Sequence, residues 1–362
     1  MSELTAHAGA RRPTRERGVA LVHKCRSFYK QSPRPSPFWW PAMQYVGMRS
    51  KVHPKYKTRY RVGNWPAYER ALVRRGDVTL WLSADAIDAW TPAPSGRRGR
   101  QAKFSNHAIE TALTLRLVFR LPLRQAEGFL RSILGLMCVD LAAPDHTTLS
   151  RRSQDLSVEL HRVPAHGPIH LVVDSSGLSI VGEGEWAAAK YGARGRRGWK
   201  KLHLGVDRSG IIVAHTLTAA TVDDATAGVE LIDAVDGELR RVTADGAYDT
   251  VAIYEAATMR GARVVVPPLK SAVVSSGRSP QLRLRDRTIR RVKQLGRRQW
   301  KKVSGYHRQA RAENAFFRYK STIGDRLCAR HPEAQKTEAL TACNVLNRMT
   351  ALGRPASCPN SR

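Results

Sequence analysis

Apolar residues recur along this chain with successive rhythms, and each rhythm predicts a different kind of structure. Residues 1–47 have none. Arg11-Arg12-Pro13 and Ser32-Pro33-Arg34-Pro35-Ser36-Pro37 give them the composition of a disordered leader. Order is expected from about Asn64, where Trp65, Tyr68, Leu72, Val78, Leu80, Leu82, Ile87 and Trp90 supply a small apolar cluster. Thr91 to Lys103 reads as a Pro/Gly/Arg linker. Helical spacing then sets in. Ile109, Ala112, Leu113, Leu117 and Val118 form one stripe, and after Pro122 a second is made by Ala126, Phe129, Leu130, Ile133 and Leu134. A short third helix is predicted over His146–Arg152, with Asp145 as its N-cap.

From residue 168 the pattern changes to strands. Ile169 to Val173 is an apolar run ending in Asp174. Lys201–Val206 and Ile211–Leu217 flank the turn Asp207-Arg208-Ser209-Gly210, a hairpin signal. Asp224 is placed to cap a helix from Ala225 to Val235. Arg241–Ala244 is a short strand ending in Asp245, followed by a helix over Val251–Met259 and a strand over Ala262–Val266 that Pro267-Pro268 stops. A further helix is predicted over Ala310–Ile323. This order predicts an α/β domain whose first strands are antiparallel and later ones parallel.

Charge changes the picture. Lys and Arg total 61 against 30 Asp and Glu, a net +31 that selects polyanionic partners. Residues 270–330 hold 18 Lys/Arg and 3 Asp/Glu, too one-signed for a merely solvated face, and read as a phosphate-tracking surface. The three N-terminal helices then suggest a helix-turn-helix whose Thr147, Thr148, Arg151 and Arg152 enter a major groove; a plain three-helix module remains the alternative. The five cysteines are scattered without a C-x-x-C pair, which argues for a reducing compartment and against a zinc finger. No apolar run is long enough to span a membrane and no secretory signal is visible, so the cytoplasm fits.

Asp174 and Asp245 each close an apolar strand, at the sheet edge where α/β sites are built. Glu313 is nearly the only acid in the basic segment and falls on the predicted helix. Tyr306 and Lys320, seven residues to either side, lie within about 20° of it, with Lys320 about 10 Å along the axis. Gln309 lies about 40° away, one turn toward the N-terminus, and Arg308 about 140° away; Tyr306, Arg308, Gln309 and Lys320 are read as DNA contacts. Phe316 and Phe317 are expected to pack the helix on the sheet, with base stacking as the alternative. Three converging carboxylates need a cation or a proton. Mg²⁺, a hard ion taking few protein carboxylates, is the natural partner; two ions about 4 Å apart, with Mn²⁺ able to substitute, would support phosphodiester hydrolysis and transesterification. Asp249 reads as a helix cap, His203 as a packed or phosphate-adjacent histidine, and Lys200 and Lys201 as DNA contacts or solvent-facing residues.

These residues resemble a known family. Leu171-Val172-Val173-Asp174-Ser175-Ser176-Gly177-Leu178 resembles the first acid motif of DDE transposases, and Thr243-Ala244-Asp245-Gly246-Ala247-Tyr248-Asp249 the second. Trp199 to Asp207 is similar to a segment typical of the insertion-sequence-five family, as is Asn64-Trp65-Pro66-Ala67-Tyr68 with Arg75-Gly76-Asp77. Tyr306, Glu313 and Lys320 match that family's Tyr-Arg-Glu-Lys signature, whose Arg position is Gln309 here. The resemblance spans about residues 60–350. It implies a ribonuclease-H-like catalytic domain, a mixed sheet flanked by helices, preceded by a mainly helical DNA-binding region. It also implies divalent metal at Asp174, Asp245 and Glu313, recognition of terminal inverted repeats, and a homo-oligomer acting on double-stranded DNA in the bacterial nucleoid. The expected division is 1–47 leader, 48–165 DNA-binding region, 166–330 catalytic domain and 331–362 C-terminal helix and tail, with Met48 as the functional start. A decayed transposase acting as a repressor, or a ribonuclease-H-like nuclease, are the rival readings.

Overall fold

The computed structural model describes residues 60–359 except 95, 97, 100, 162–166, 183–197 and 276–278. The proposed leader and Met48 lie outside the described residues. In chain order the elements are β1 (Tyr60–Val62), α1 (Trp65–Arg74), α2 (Val78–Trp81), α3 (Ala84–Asp88), α4 (Asn106–Val118), α5 (Leu123–Leu136) and α6 (His146–Asp155). Then come β2 (Ile169–Ile180), β3 (Trp199–Val206), β4 (Ile212–Ala219), α7 (Asp224–Asp233), β5 (Leu239–Thr243), α8 (Val251–Met259) and β6 (Arg263–Val265). The chain ends with α9 (Pro280–Leu295), α10 (Arg297–Ser304), α11 (Ala310–Thr322), β7 (Arg326–Leu327), α12 (Pro332–Leu352) and β8 (Ser357–Pro359).

The sheet runs β4-β3-β2-β5-β6, antiparallel across β2, β3 and β4 and parallel across β2, β5 and β6. Side chains alternate along β2, so its two faces bury different cores. Leu171 and Val173 pack with α7 and α8; Val172 and Leu178 pack with Ala312, Phe316 and Tyr319 of α11 and with α12. The result is a mixed sheet with helices on both faces.

β2 is longer than its apolar run, and Asp174 sits within it rather than at its end. The antiparallel ladder to β3 continues from Val172↔Val206 to Ser179↔Trp199, carrying the strand past the acid. On the other edge β5 departs after Val172↔Thr243, and β7 joins only at Ser179↔Arg326. Between them β2 has an open edge, and Asp174 lies beside it.

The N-terminal helices pack around Trp81, Trp90, Ile109, Leu130 and Leu149. As expected from the sequence, Asp145 caps α6: its Oδ1 accepts from Thr148 N at 2.8 Å. α12 belongs to both neighbourhoods, since Val345 and Met349 complete the N-terminal core while Ala342 and Leu346 cover the sheet. Two asparagines reinforce this position. Asn347 accepts from Ile212 N and donates to Ile212 O, both at 2.8 Å, while Asn344 donates to Glu159 O at 2.8 Å. The described chain ends meet where β1 pairs antiparallel with β8. Among the described residues no helix is long and apolar enough to cross a membrane.

Candidate active site

Three segments distant in sequence carry the acids: the middle of β2, the turn after β5 and the first turn of α11. Asp174 comes from β2, on the face that α11 covers, and its Oδ1 accepts from the N–H of Ser175 at 2.9 Å. Asp245 follows β5 and caps the 3₁₀ turn Gly246–Tyr248 by accepting from Ala247 N at 3.0 Å. That turn seats Tyr248 against α7 at Gly228, where an added Cβ would lie 2.8 Å from the Tyr248 ring. Glu313 stands exposed in the first turn of α11.

Asp174 feels the charges of both other acids. Burial, and then the charges of Asp245, Glu313 and Asp224, push the Asp174 carboxyl up to about 6. Burial likewise raises Asp245, with Asp224 adding to it. Tyr306 is driven up to about 12 by burial and then by Asp245, Asp174 and Glu313. No ion pair to Lys or Arg forms at Asp174, Asp245 or Glu313 among the described residues. A hard cation suits such a set of oxygen donors. Among the described residues no three side chains close tightly enough to hold one ion on their own. Mg²⁺ does not require that: it takes one or two carboxylates and completes its shell with water and phosphate.

A pH dependence follows. The folded-state value of Asp174 lies above its ordinary 3.8, so the stability linked to its proton is full below about 4 and lost as pH rises through about 6. A cation competes with that proton and gains where the proton is released. At ten times its dissociation constant a cation adds about 1.4 kcal/mol, or about 3 °C in Tm. We expect Mg²⁺ to raise the Tm at pH 7.5 and to lose most of that effect at pH 5, as read by thermal unfolding. An equal shift at both values would remove Asp174 from the cation site.

Two neighbours escaped the sequence. Asp224, expected as the cap of α7, is its first residue; Asp223 makes the cap, accepting from Ala225 N at 3.0 Å. Asp224 instead accepts from Lys201 Nζ at 3.0 Å, and its charge reaches Asp174 and Asp245. Lys201 is thereby tied to Asp224 and to Val222 O, at 2.9 Å. Asp249, expected to cap α8, is buried and accepts from Arg285 Nε at 3.0 Å and Nη2 at 2.8 Å, while Thr250 takes the cap position. Neither contact has a sequence signal, because each joins elements more than 20 residues apart.

The helix carrying Glu313 starts differently from its periodicity. Gly305, at φ +75°, ends α10, and Tyr306–Gln309 forms a 3₁₀ turn before α11 begins. Tyr306 still reaches the carboxylates, with Lys301 Nζ 4.8 Å from its ring centre. Gln309 turns inward and is 4% exposed; its Nε2 donates to Val173 O at 3.0 Å, closing the open edge of β2 next to Asp174. Arg308 meets His170, with Nη1 3.3 Å from Nδ1. Lys320 is exposed two turns beyond Glu313. Phe316 packs on the sheet as expected, but Phe317 is 72% exposed. Gln309→Ala should therefore cost about 1–3 kcal/mol in denaturant unfolding, for a lost buried hydrogen bond and the space left behind. An unchanged midpoint would mean the contact holds nothing.

The remaining expected DNA contacts fall into two groups. Arg151 is exposed on α6 and Lys200 half-buried on β3. The Thr147 and Thr148 hydroxyls both donate to Asp145, and Arg152 donates to Phe104 O at 3.2 Å and Asn106 Oδ1 at 2.6 Å. His203 is buried in β3 with Nε2 2.9 Å from Thr218 Oγ1.

Residues 73–183 and residues 165–348 each match a family described as a transposase DDE domain, the second over half of the chain. Among solved structures, the chain is similar at 10% identity to one from a cryo-EM study of a piggyBac transposase synaptic complex with hairpin DNA. That alignment covers 78% of this chain and 75% of the other at a TM-score of 0.32. The second match includes β2, β5 and α11, the elements that carry or precede Asp174, Asp245 and Glu313, and this chain belongs to the DDE transposases.

Proposed function

We propose that the chain is the transposase of a bacterial insertion sequence of the insertion-sequence-five type. It binds the element's terminal inverted repeats and cuts and rejoins DNA at Asp174, Asp245 and Glu313. The observation that carries this reading is the Asp174 carboxyl, raised by burial and then by Asp245, Glu313 and Asp224, the first two of them 71 and 139 positions away in the sequence. Acids that repel one another without a structural partner are disfavoured unless a function requires them. The antiparallel-then-parallel strand order is the arrangement expected of a ribonuclease-H-like core.

In this reading Asp174, Asp245 and Glu313 hold divalent ions, Mg²⁺ by preference with Mn²⁺ as a substitute. Such ions supply activation of the attacking hydroxyl and stabilisation of the leaving oxygen. Asp174 and Asp245 give up their protons to bind, which sets the lower pH limit. Tyr306, a neutral phenol at working pH, can donate a hydrogen bond to a phosphate oxygen beside the carboxylates. Gln309 fixes the β2 backbone next to Asp174. The +31 surplus supplies the salt-dependent attraction for DNA, with residues 48–165 as the end-recognition region and a homo-oligomer pairing two ends.

The test is an incubation of the full chain with a labelled duplex bearing the element's ends and a target plasmid, with Mg²⁺ or with chelator. Metal-dependent cutting followed by joining supports the proposal. Binding without cutting would favour the repressor reading. Cutting without joining would favour the nuclease.

A further inference from the structure

Beside α11 lies a groove of about 1470 Å³ that the carboxylates do not line. Its walls come from both ends of α1, the β3–β4 turn, the segment after α12, and the flank of α11 with the 3₁₀ turn before it. Six arginines line it: Arg75, Arg208, Arg308, Arg311, Arg318 and Arg354. No Asp or Glu does.

Their hydrogen bonds go to neutral acceptors. Arg75 donates to Gly353 O at 3.3 Å, Arg318 to Leu346 O at 3.0 Å, and Arg354 to Ser209 O. None of the six forms an ion pair with a carboxylate among the described residues. Burial, and then Arg354, holds the Arg311 guanidinium below its ordinary value; burial, and then Arg75, does the same to Arg318. Asp207 attracts Arg311 but spends its oxygens on Ser209 and Ile211. Guanidinia held together against their own repulsion, in a fork geometry suited to phosphate oxygens, form a polyanion site.

The same groove carries one exposed aromatic. Phe317 lies about 40° around α11 from Glu313 and one turn on, roughly 6 Å along the axis. That is one or two nucleotide steps at about 3.4 Å each. An aromatic face among cations stacks a base that has left its partner.

We propose that this groove is a second DNA site, holding the backbone phosphates of a few nucleotides of the strand leaving the carboxylates, with Phe317 stacked on an unpaired base. Its place along the strand rests on reading Asp174, Asp245 and Glu313 as the cleavage centre. Its phosphate and stacking chemistry does not.

Fluorescence anisotropy on the full chain tests it, using a blunt duplex, the same duplex with a four-nucleotide 3′ tail, and a version with an RNA tail, each over a salt series. Phe317→Ala should weaken the DNA-tailed probe five- to tenfold and leave the blunt duplex within twofold, with Phe317→Tyr restoring the tailed probe. The Arg311→Gln/Arg354→Gln pair should weaken both DNA probes and flatten the log–log salt slope by about 1 to 2, with thermal unfolding confirming the fold. Equal effects of Phe317→Ala on both probes, an unchanged slope, or tighter binding of the RNA tail would overturn the proposal. Asp174→Asn, run alongside, should keep the tailed-probe affinity while losing cleavage. If it cuts normally, the cleavage-centre reading fails and the proposed place of the groove along the strand falls with it, while the binding results still judge the groove's chemistry.

Discussion

Replacing Asp174, Asp245 or Glu313 by alanine should lower single-turnover cleavage of a pre-bound DNA end by at least about a thousandfold, while DNA affinity changes less than about threefold. The size follows from the cation chemistry. Electrostatic stabilisation by bound ions is worth several kcal/mol, and each 1.36 kcal/mol of barrier is tenfold in rate. Affinity is spared because it comes from many phosphate contacts along a basic surface. Asp245 needs a second variant, since it also caps the turn Gly246–Tyr248. Removing a cap costs about 1 kcal/mol, whereas Asp245→Asn keeps an acceptor for Ala247 N and removes only the charge. Cutting at more than a tenth of the wild-type rate by any of these variants would remove that residue from the centre.

The largest expected loss of stability is elsewhere. Asp249→Ala should cost about 2–4 kcal/mol, because it removes two charge-assisted hydrogen bonds from an enclosed carboxylate and leaves the half-buried Arg285 without its counter-charge. The Asp249 side chain is fully enclosed and accepts from two nitrogens of one guanidinium, which ties the start of α8 to α9. Asp249→Ala with Arg285→Leu should recover much of the loss, since breaking one half of such a pair is worse than replacing both. Denaturant midpoints measure this directly. A loss below about 1 kcal/mol in the single variant would mean that the pair is solvated in practice.

The sequence and the structure agree most where local pattern decides the outcome. The three acids stand out because two follow apolar strand runs and the third interrupts a basic helix; the order of strands foretells the mixed sheet. What stayed hidden depends on contacts across the fold. The length of β2 beyond Asp174 is set by its partner β3 rather than by its own apolar residues. An unbroken α-helix would set Gln309 on the same side as Glu313, but Gly305 and the 3₁₀ turn rotate it into the open edge of β2. Asp224 and Asp249 both follow the composition of helix caps, yet each is drawn to a cation from another element. Phe316 and Phe317 are indistinguishable as a pair; only the packed helix shows that one is buried and the other is not.

The central claim is that Asp174, Asp245 and Glu313 share divalent cations. Its most direct test is a count of bound Mn²⁺ by electron paramagnetic resonance at pH 7.5, on protein holding a DNA end. The account predicts two ions in the wild type and at most one in each of Asp174→Asn, Asp245→Asn and Glu313→Gln. The same count in the wild type and all three variants would contradict it.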